Sequence, residues 1–278
     1  MTTRIKPGRH IVITGGSSGL GLEIAHQLAP RGVRLTLVAR NTAKLDAARA
    51  EIGDKHPGAL VETLSVDVSD QAALDAAFSE LAAAGPIDVL VNSAGILREG
   101  YFEDLTDDDF RAVMDVNLFG TINAARAVLP HLKASRGQVV NIASVAGLTG
   151  VFGYTPYCAS KHALVGFTDA LRYELEPQGV SVVLVCPGEF DSPMVDALDR
   201  TRTPENREHT LTIPKLSVDA IAKATIKGID RDDRVVVPGV VTQAVVAANR
   251  LLPAVAGAVG RRAVKKVYQG PSVRGTRP

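Results

Sequence analysis

Tyr157 and Lys161 stand four residues apart in Tyr157-Cys158-Ala159-Ser160-Lys161, and Ser144 lies upstream of the pair. On a helix this spacing puts both side chains on one face, about one turn apart. The chemistry such a pair suits is proton transfer. An unperturbed tyrosine hydroxyl, with a pKa of about 10, is a poor acid–base partner at neutral pH. A neighbouring ammonium favours the phenolate, and a shift of about 2 to 3 units corresponds to roughly 3 to 4 kcal/mol. Hydride reduction of a ketone needs a proton on the developing alkoxide, and Tyr157 is the expected donor. Ser144 would hydrogen-bond the carbonyl oxygen. Lys161 could also hold ribose hydroxyls, and Asn117 could anchor a water that relays protons.

A second constellation precedes this one. Thr14-Gly15-Gly16-Ser17-Ser18-Gly19-Leu20-Gly21 follows a β-branched run and opens a helical pattern. Glycines at 15, 19 and 21 let backbone approach a pyrophosphate, and the helix start supplies N–H donors and a positive dipole end. The spacing is G-x-x-x-G-x-G. At the end of the next strand, Val38-Ala39-Arg40-Asn41 carries no acid to bind a ribose 2′-hydroxyl. Arg40 instead suits a 2′-phosphate, with Ser17 adding a hydroxyl, so the expected cofactor is NADP(H). The bland alternative is a solvated loop cation. Asp67 could hold an adenine amino group or be a simple turn residue.

These residues need a scaffold, and the sequence supplies one. Strand candidates are His10–Thr14, Val33–Val38, Leu60–Val66, Ile87–Asn92, Gln138–Ile142, Val180–Cys186 and Arg234–Val237. Most are continuous apolar runs, as in a parallel sheet covered on both faces. Helical spacing fills Leu20–Ala29, Ala43–Ile52, Ala72–Ala83 and Phe110–Leu132. The pattern predicts one α/β domain, a doubly wound parallel sheet of about seven strands over residues 1–238, with a C-terminal helical extension over 239–278. Gly32 is placed as a helix C-cap, Ser69-Asp70 as an N-cap, and Thr106 with Asp107, Asp108 and Asp109 as an acidic helix start.

Composition narrows the possibilities. The 278 residues carry 31 Lys+Arg against 30 Asp+Glu, with 46% hydrophobic residues. Disorder and a general nucleic-acid binder are excluded. Two cysteines, Cys158 and Cys186, are no disulfide framework and fit a reducing, cytoplasmic setting. Both read as small buried packers. No run resembles a signal peptide or a continuous membrane span. None of the six histidines has a metal-ligand spacing, so no metal is expected. All acids lie at or before Asp233, whereas Arg234, Arg250, Arg261, Arg262, Lys265, Lys266, Arg274 and Arg277 follow. The basic, apolar tail is either a peripheral membrane contact or a helix packed on the body or on another subunit.

Taken together, Thr14-Gly15-x-x-x-Gly19-x-Gly21, Asp67-Val68, Asn92-Ser93-Ala94-Gly95, Asn117, Ser144, Tyr157-x-x-x-Lys161 and Pro187-Gly188 resemble the short-chain dehydrogenase/reductase family over roughly residues 8–238. The resemblance implies a Rossmann-type fold, a nicotinamide cofactor and a tetrad of Asn117, Ser144, Tyr157 and Lys161. It implies cofactor contacts from Gly15, Ser17, Ser18, Gly19, Leu20, Gly21, Arg40, Asp67, Val68, Asn92, Ala94, Gly95, Tyr157, Lys161, Pro187, Gly188 and Phe190. It also brings Ser192 to the nicotinamide carboxamide. Ser93 replaces a usual asparagine and should preserve the turn. The family forms homodimers or homotetramers through the helices carrying Asn117 and Tyr157. The loop with Leu148, Val151, Phe152 and Tyr154 would either border an apolar ketone or alcohol, as in the family, or simply pack against the sheet, and Pro193–Pro214 would be a mobile lid. A narrower match, in Leu37-Val38-Ala39-Arg40-Asn41, Tyr101-Phe102-Glu103-Asp104-Leu105 and Asp191-Ser192-Pro193-Met194, resembles the 3-ketodihydrosphingosine reductase branch. That branch reduces a long-chain keto-amine with NADPH at a membrane surface. The alternatives are a steroid or secondary-alcohol dehydrogenase and a non-catalytic NADP(H)-sensing protein.

Overall fold

Aliphatic residues dominate the central strands because helices cover both sides of the sheet. The computed structural model describes residues 4–269, so Arg274 and Arg277 lie outside the described residues. The strands are β1 (His10–Thr14), β2 (Arg34–Ala39), β3 (Leu60–Ser65), β4 (Val89–Asn92), β5 (Gln138–Ile142), β6 (Ser181–Val185) and β7 (Val235–Val236). They pair in the order β3-β2-β1-β4-β5-β6-β7, every ladder parallel. Each expected strand is present, with ends moved by a residue or two. The order reverses between β1 and β4. Chain leaving these two strands turns to opposite faces, and a crevice opens beyond their carboxyl ends.

The helices are α1 (Gly19–Leu28), α2 (Thr42–Lys55), α3 (Gln71–Ala83), α4 (Asp107–Met114), α5 (Gly120–Ser135), α6 (Thr155–Leu175), α7 (Pro193–Leu198), α8 (Pro204–Thr210), α9 (Val218–Arg231), α10 (Val240–Leu251) and α11 (Pro253–Gln269). Side-chain alternation along β1 sends Ile11 and Ile13 to a cluster with Ile24, Ile52, Ile221 and Ile226 of α1, α2 and α9. Val12 faces the other way, toward Leu74, Phe78, Val128 and Leu132 of α3 and α5. The expected caps form. Gly32 is left-handed, Asp70 accepts from the Ala73 N–H, and Thr106 with Asp109 makes a reciprocal capping box.

Three segments depart from expectation. Phe110–Leu132 is not one regular helix: a π turn, Asp115–Phe119, separates α4 from α5 and contains buried Asn117. Pro193–Pro214, expected as a lid, is built around two short helices. Its helices α7 and α8 are capped by Ser192 and Thr203. Arg202 fastens the segment by ion-pairing Glu189 at 2.7 Å, and Asn206 donates to the Phe152 carbonyl at 2.6 Å. Leu148 turns into an inner cluster with Leu164 and Leu184 instead of bordering the crevice. The extension forms α10 and α11, bent by 117° between them.

Candidate active site

The turn from β1 to α1 is built from glycine because no side chain fits. Gly15 has φ +68°, and a Cβ on it would lie 2.8 Å from the Ala94 nitrogen. A Cβ on Gly21 would lie 2.5 Å from the Gly15 carbonyl oxygen. Gly21 and Ala94 therefore support the turn from beneath. Thr14 Oγ1 accepts from the Ser93 and Ala94 N–H groups, each at 3.2 Å, which ties β1 to β4 across the switch point. Backbone donors make these bonds, so Ser93 serves whatever its side chain. The first turns of α2, α3, α4, α7, α8 and α9 are each capped by a side chain. Ser18 at the start of α1 makes no such bond, so the helix presents its first N–H groups to the crevice.

Opposite this turn sit the residues with acid–base chemistry. Ser144, just beyond β5, caps a short turn by accepting from the Ala146 N–H at 3.1 Å. Its hydroxyl also hydrogen-bonds Tyr157. Lys161 lies one turn further along α6, its Nζ 5.6 Å from the centre of the Tyr157 ring and donating to the Ile142 carbonyl at 2.9 Å. Asn117 accepts from the Ile96 N–H at 2.8 Å and donates to the Ile96 carbonyl at 2.9 Å and to Ser160 Oγ at 3.0 Å. Its side-chain amide is thus engaged with the Ile96 backbone and Ser160.

The electrostatics differ from the expected acidified phenol. Tyr157 keeps part of its surface open to the crevice, yet desolvation pushes its pKa up to about 12, against a lowering by the Ser144 hydrogen bond. Burial pulls Lys161 down to about 8, with Cys186 nearby opposing. Burial in protein thus disfavours the charged form of each group. Cys186 is fully buried, with its thiol pushed up by burial; Cys158 is only partly buried.

One cavity of about 1060 Å³ joins the two constellations. Of the expected residues, Gly15, Ser18, Gly19, Leu20, Gly95, Ser144, Tyr157, Lys161, Pro187, Gly188, Phe190 and Ser192 line it. Ser192 lies close over Gly19, so the starts of α7 and α1 face each other. Ser17, Arg40, Asp67, Val68 and Asn92 stand outside this cavity. Arg40, its side chain 64% exposed at the end of β2, approaches Asp67 at 3.4 Å through one nitrogen. Burial raises the Asp67 carboxyl, but Ser69 hydrogen bonds and the Arg40 charge together hold it below its usual value. Val68 is buried, and its carbonyl accepts from Asn123. Asn92 points its amide at Asn141, which bonds Thr168, so its side chain serves the sheet.

The sequence reading missed much of the far wall. Val151, Phe152 and Tyr154 line the cavity as expected, but Met194, Ile213, Val245, Leu252, Val255 and Val259 complete it. Glu189 and His209 also reach it; Glu189 is neutralised by Arg202 and Lys215, and His209 accepts from the Phe152 N–H. Only the helical amphipathicity of 240–260 hinted at such residues, and that pattern does not say which surface the helix covers. Among the described residues no group of three or more metal-binding side chains is gathered.

The sequence pattern described as short chain dehydrogenase matches residues 9–203. A 3-ketodihydrosphingosine reductase from Bos taurus is 39% identical over 227 residues, covering 80% of this chain and 68% of its own length. A short-chain dehydrogenase/reductase from Burkholderia phymatum, crystallised with NAD, superposes with a TM-score of 0.78 at 27% identity, covering 89% of this chain and 93% of its own. Levodione reductase gives the same TM-score at 31% identity, covering 86% and 99%. With matching motifs on a matching sheet, the chain belongs to the short-chain dehydrogenase/reductase family, close to its 3-ketodihydrosphingosine reductase branch, and is an oxidoreductase of carbonyl and alcohol groups.

Proposed function

We propose that this protein is an NADP(H)-dependent reductase of an apolar ketone, with a long-chain keto-amine of the 3-ketosphinganine type as its substrate. The observation that carries the reading is the single cavity in which Ser144, Tyr157 and Lys161 face the uncapped start of α1, with an apolar wall beyond them. The site residues fit a dinucleotide. The start of α1 carries no side-chain cap, and at Gly19 no backbone crowds the place a Cβ would take. Gly15, Ser18, Gly19 and Leu20 would hold the pyrophosphate, Arg40 with Ser17 the 2′-phosphate, Asp67 and Val68 the adenine side, and Gly95, Pro187, Gly188, Phe190 and Ser192 the nicotinamide side. The bound cofactor supplies hydride to the carbonyl carbon.

The chain's own residues then handle the oxygen. Ser144 hydrogen-bonds it and Tyr157 donates the proton. A phenol with its pKa at about 12 is fully protonated at neutral pH, which is the form reduction needs. Lys161 stabilises the phenolate left behind. Asn117 positions the Ile96 backbone and Ser160 beside them. The protein works as a homodimer or homotetramer through the π turn, α5 and α6, where Phe119 of the π turn and Tyr173 of α6 are 50% and 76% exposed.

The test is a panel of 3-ketosphinganine, a β-ketoacyl ester and a small soluble ketone, followed by loss of reduced-nicotinamide absorbance. Turnover of 3-ketosphinganine with NADPH is the expected result. Tyr157→Phe should lower kcat by roughly 10²- to 10⁴-fold while leaving NADPH binding intact. Arg40→Ser should weaken NADPH about 10- to 100-fold and leave NADH unchanged, since a charge-assisted hydrogen bond contributes about 1.5–3 kcal/mol. Wild-type protein that uses NADH better than NADPH would overturn the cofactor assignment.

A further inference from the structure

We infer that Glu189 anchors a cationic amine carried beside the ketone of the substrate, so that the site selects amino ketones over plain ketones of the same length. The inference rests on the proposed reduction of a long-chain keto-amine, in which the amine sits on the carbon next to the carbonyl. Whatever holds that amine must therefore lie beside Ser144 and Tyr157. A charge taken into a cavity without a partner is costly. Among the described residues that line this cavity, Glu189 is the only carboxylate. The other charged groups on the wall, Lys161, Arg261 and Lys265, are basic and repel an ammonium. An amine bound here has one acidic side chain to meet.

Glu189 is both placed and aimed for this contact. It stands two residues beyond Pro187, whose carbonyl accepts from Ser144 Oγ at 3.4 Å and from the Val145 N–H at 2.9 Å. On its other side, Arg202 Nη2 donates to Glu189 Oε2 at 2.7 Å and to the Tyr154 hydroxyl at 3.5 Å. The Tyr154 ring meets the Tyr157 ring edge-on, with centres 5.7 Å apart. The carboxylate thus sits between the backbone that holds Ser144 and the tyrosine that packs on Tyr157. Its neighbours leave one position open. Oε1 receives Lys215 Nζ at 3.1 Å and Arg202 Nη1 at 3.3 Å, whereas Oε2 receives Arg202 Nη2 alone among the described residues. A carboxylate offers roughly four lone-pair sites, so one remains on Oε2. The two bases are shared with Asp199, which Arg202 Nη1 approaches at 3.1 Å and Lys215 Nζ at 3.4 Å. Two cations therefore balance two carboxylates, and the forked guanidinium fixes the direction of Glu189 without closing it off. Lys215, its side chain 37% exposed, can stay on Asp199 when an incoming ammonium takes its share of Glu189.

The test uses full-length protein with NADPH and two ketones, 3-ketosphinganine and a chain-matched 1-hydroxy-3-ketone that lacks the amine. In wild type the KM for the amino ketone should be lower by about tenfold to a hundredfold, the range of one hydrogen bond to a charged group, with similar kcat. Glu189→Gln keeps an oxygen for Arg202 but removes the charge. The ratio of the two KM values should then fall to near one, with a thermal melt close to that of wild type. Lys215→Met, at a part-exposed position, should move the ratio severalfold the other way by freeing Oε1. In a parallel arm, calorimetry on the NADPH-bound protein should find sphinganine held more tightly than the corresponding deaminated diol, and Glu189→Gln should abolish the difference. A wild-type ratio near one, or a Glu189→Gln variant in which both KM values rise together, would overturn the anchor and leave the reduction in place. Absence of turnover with either ketone, with Glu189-dependent binding of sphinganine intact, would instead refute the proposed reaction and leave the anchor standing.

Discussion

Tyr157 and Lys161 share a pocket whose depth works against both charges. A pH profile reads this directly. With Lys161 held at about 8, the ammonium that stabilises a developing phenolate is present below that pH and lost above it. The kcat/KM for reduction should be level through neutrality and fall as pH rises past about 8; in Lys161→Met it should be low throughout and show no such fall. The same group reports on stability in the cofactor-free protein. Its folded pKa lies below the unfolded value of 10.5, so between the two the unfolded chain binds more protons. Stability should therefore rise with pH from about 8 to 10.5, and Lys161→Met should lack that rise in Tm. A wild-type profile flat across pH 8 would show that Lys161 titrates elsewhere.

At the scale of elements, the site depends on irregularities more than on regular helix. The π turn between α4 and α5 lets Asn117 face Ile96, and its amide closes both polar groups of that residue's backbone. Asn117→Ala would leave these part-buried groups and the buried Ser160 hydroxyl without their partner. The expected loss is about 2 kcal/mol, or roughly 5 °C in Tm, together with reduced turnover in the protein that remains folded. Calorimetry with steady-state kinetics would check both, and an unchanged Tm would mean that water replaces the amide. Equally, α1 begins without a side-chain cap where most other helices carry one, and the glycine turn before it excludes any Cβ. Both features sacrifice local stability for space and donors at one place.

Across the whole molecule, the sheet's switch point opens the crevice and the last two helices close its far side. The wall from α10 and α11 extends the cavity with apolar side chains, and for the proposed apolar ketone this wall rather than any one polar contact would set the chain length accepted. Val245→Trp would fill part of that wall. The KM for long-chain ketones should rise severalfold more than for short ones, which a homologous ketone series would measure. Equal shifts across the series would mean that the chain leaves by another path.

By itself the sequence determined the strand inventory, the helix caps, the glycine turn and the Tyr157–Lys161 pair. Each of these follows from local periodicity or from a backbone conformation that few residues tolerate. It also placed Arg40 at the end of the second strand, because a strand and the residue that follows it are legible from local pattern. Only the tertiary structure decided that burial pushes the Tyr157 phenol up and the Lys161 ammonium down, that Asn92 and Leu148 turn inward, and that Pro193–Pro214 is clamped by Arg202. It alone brought α10 and α11 to the cavity's rim. Burial, orientation and long-range packing depend on segments far apart in the chain, and no local pattern carries that information.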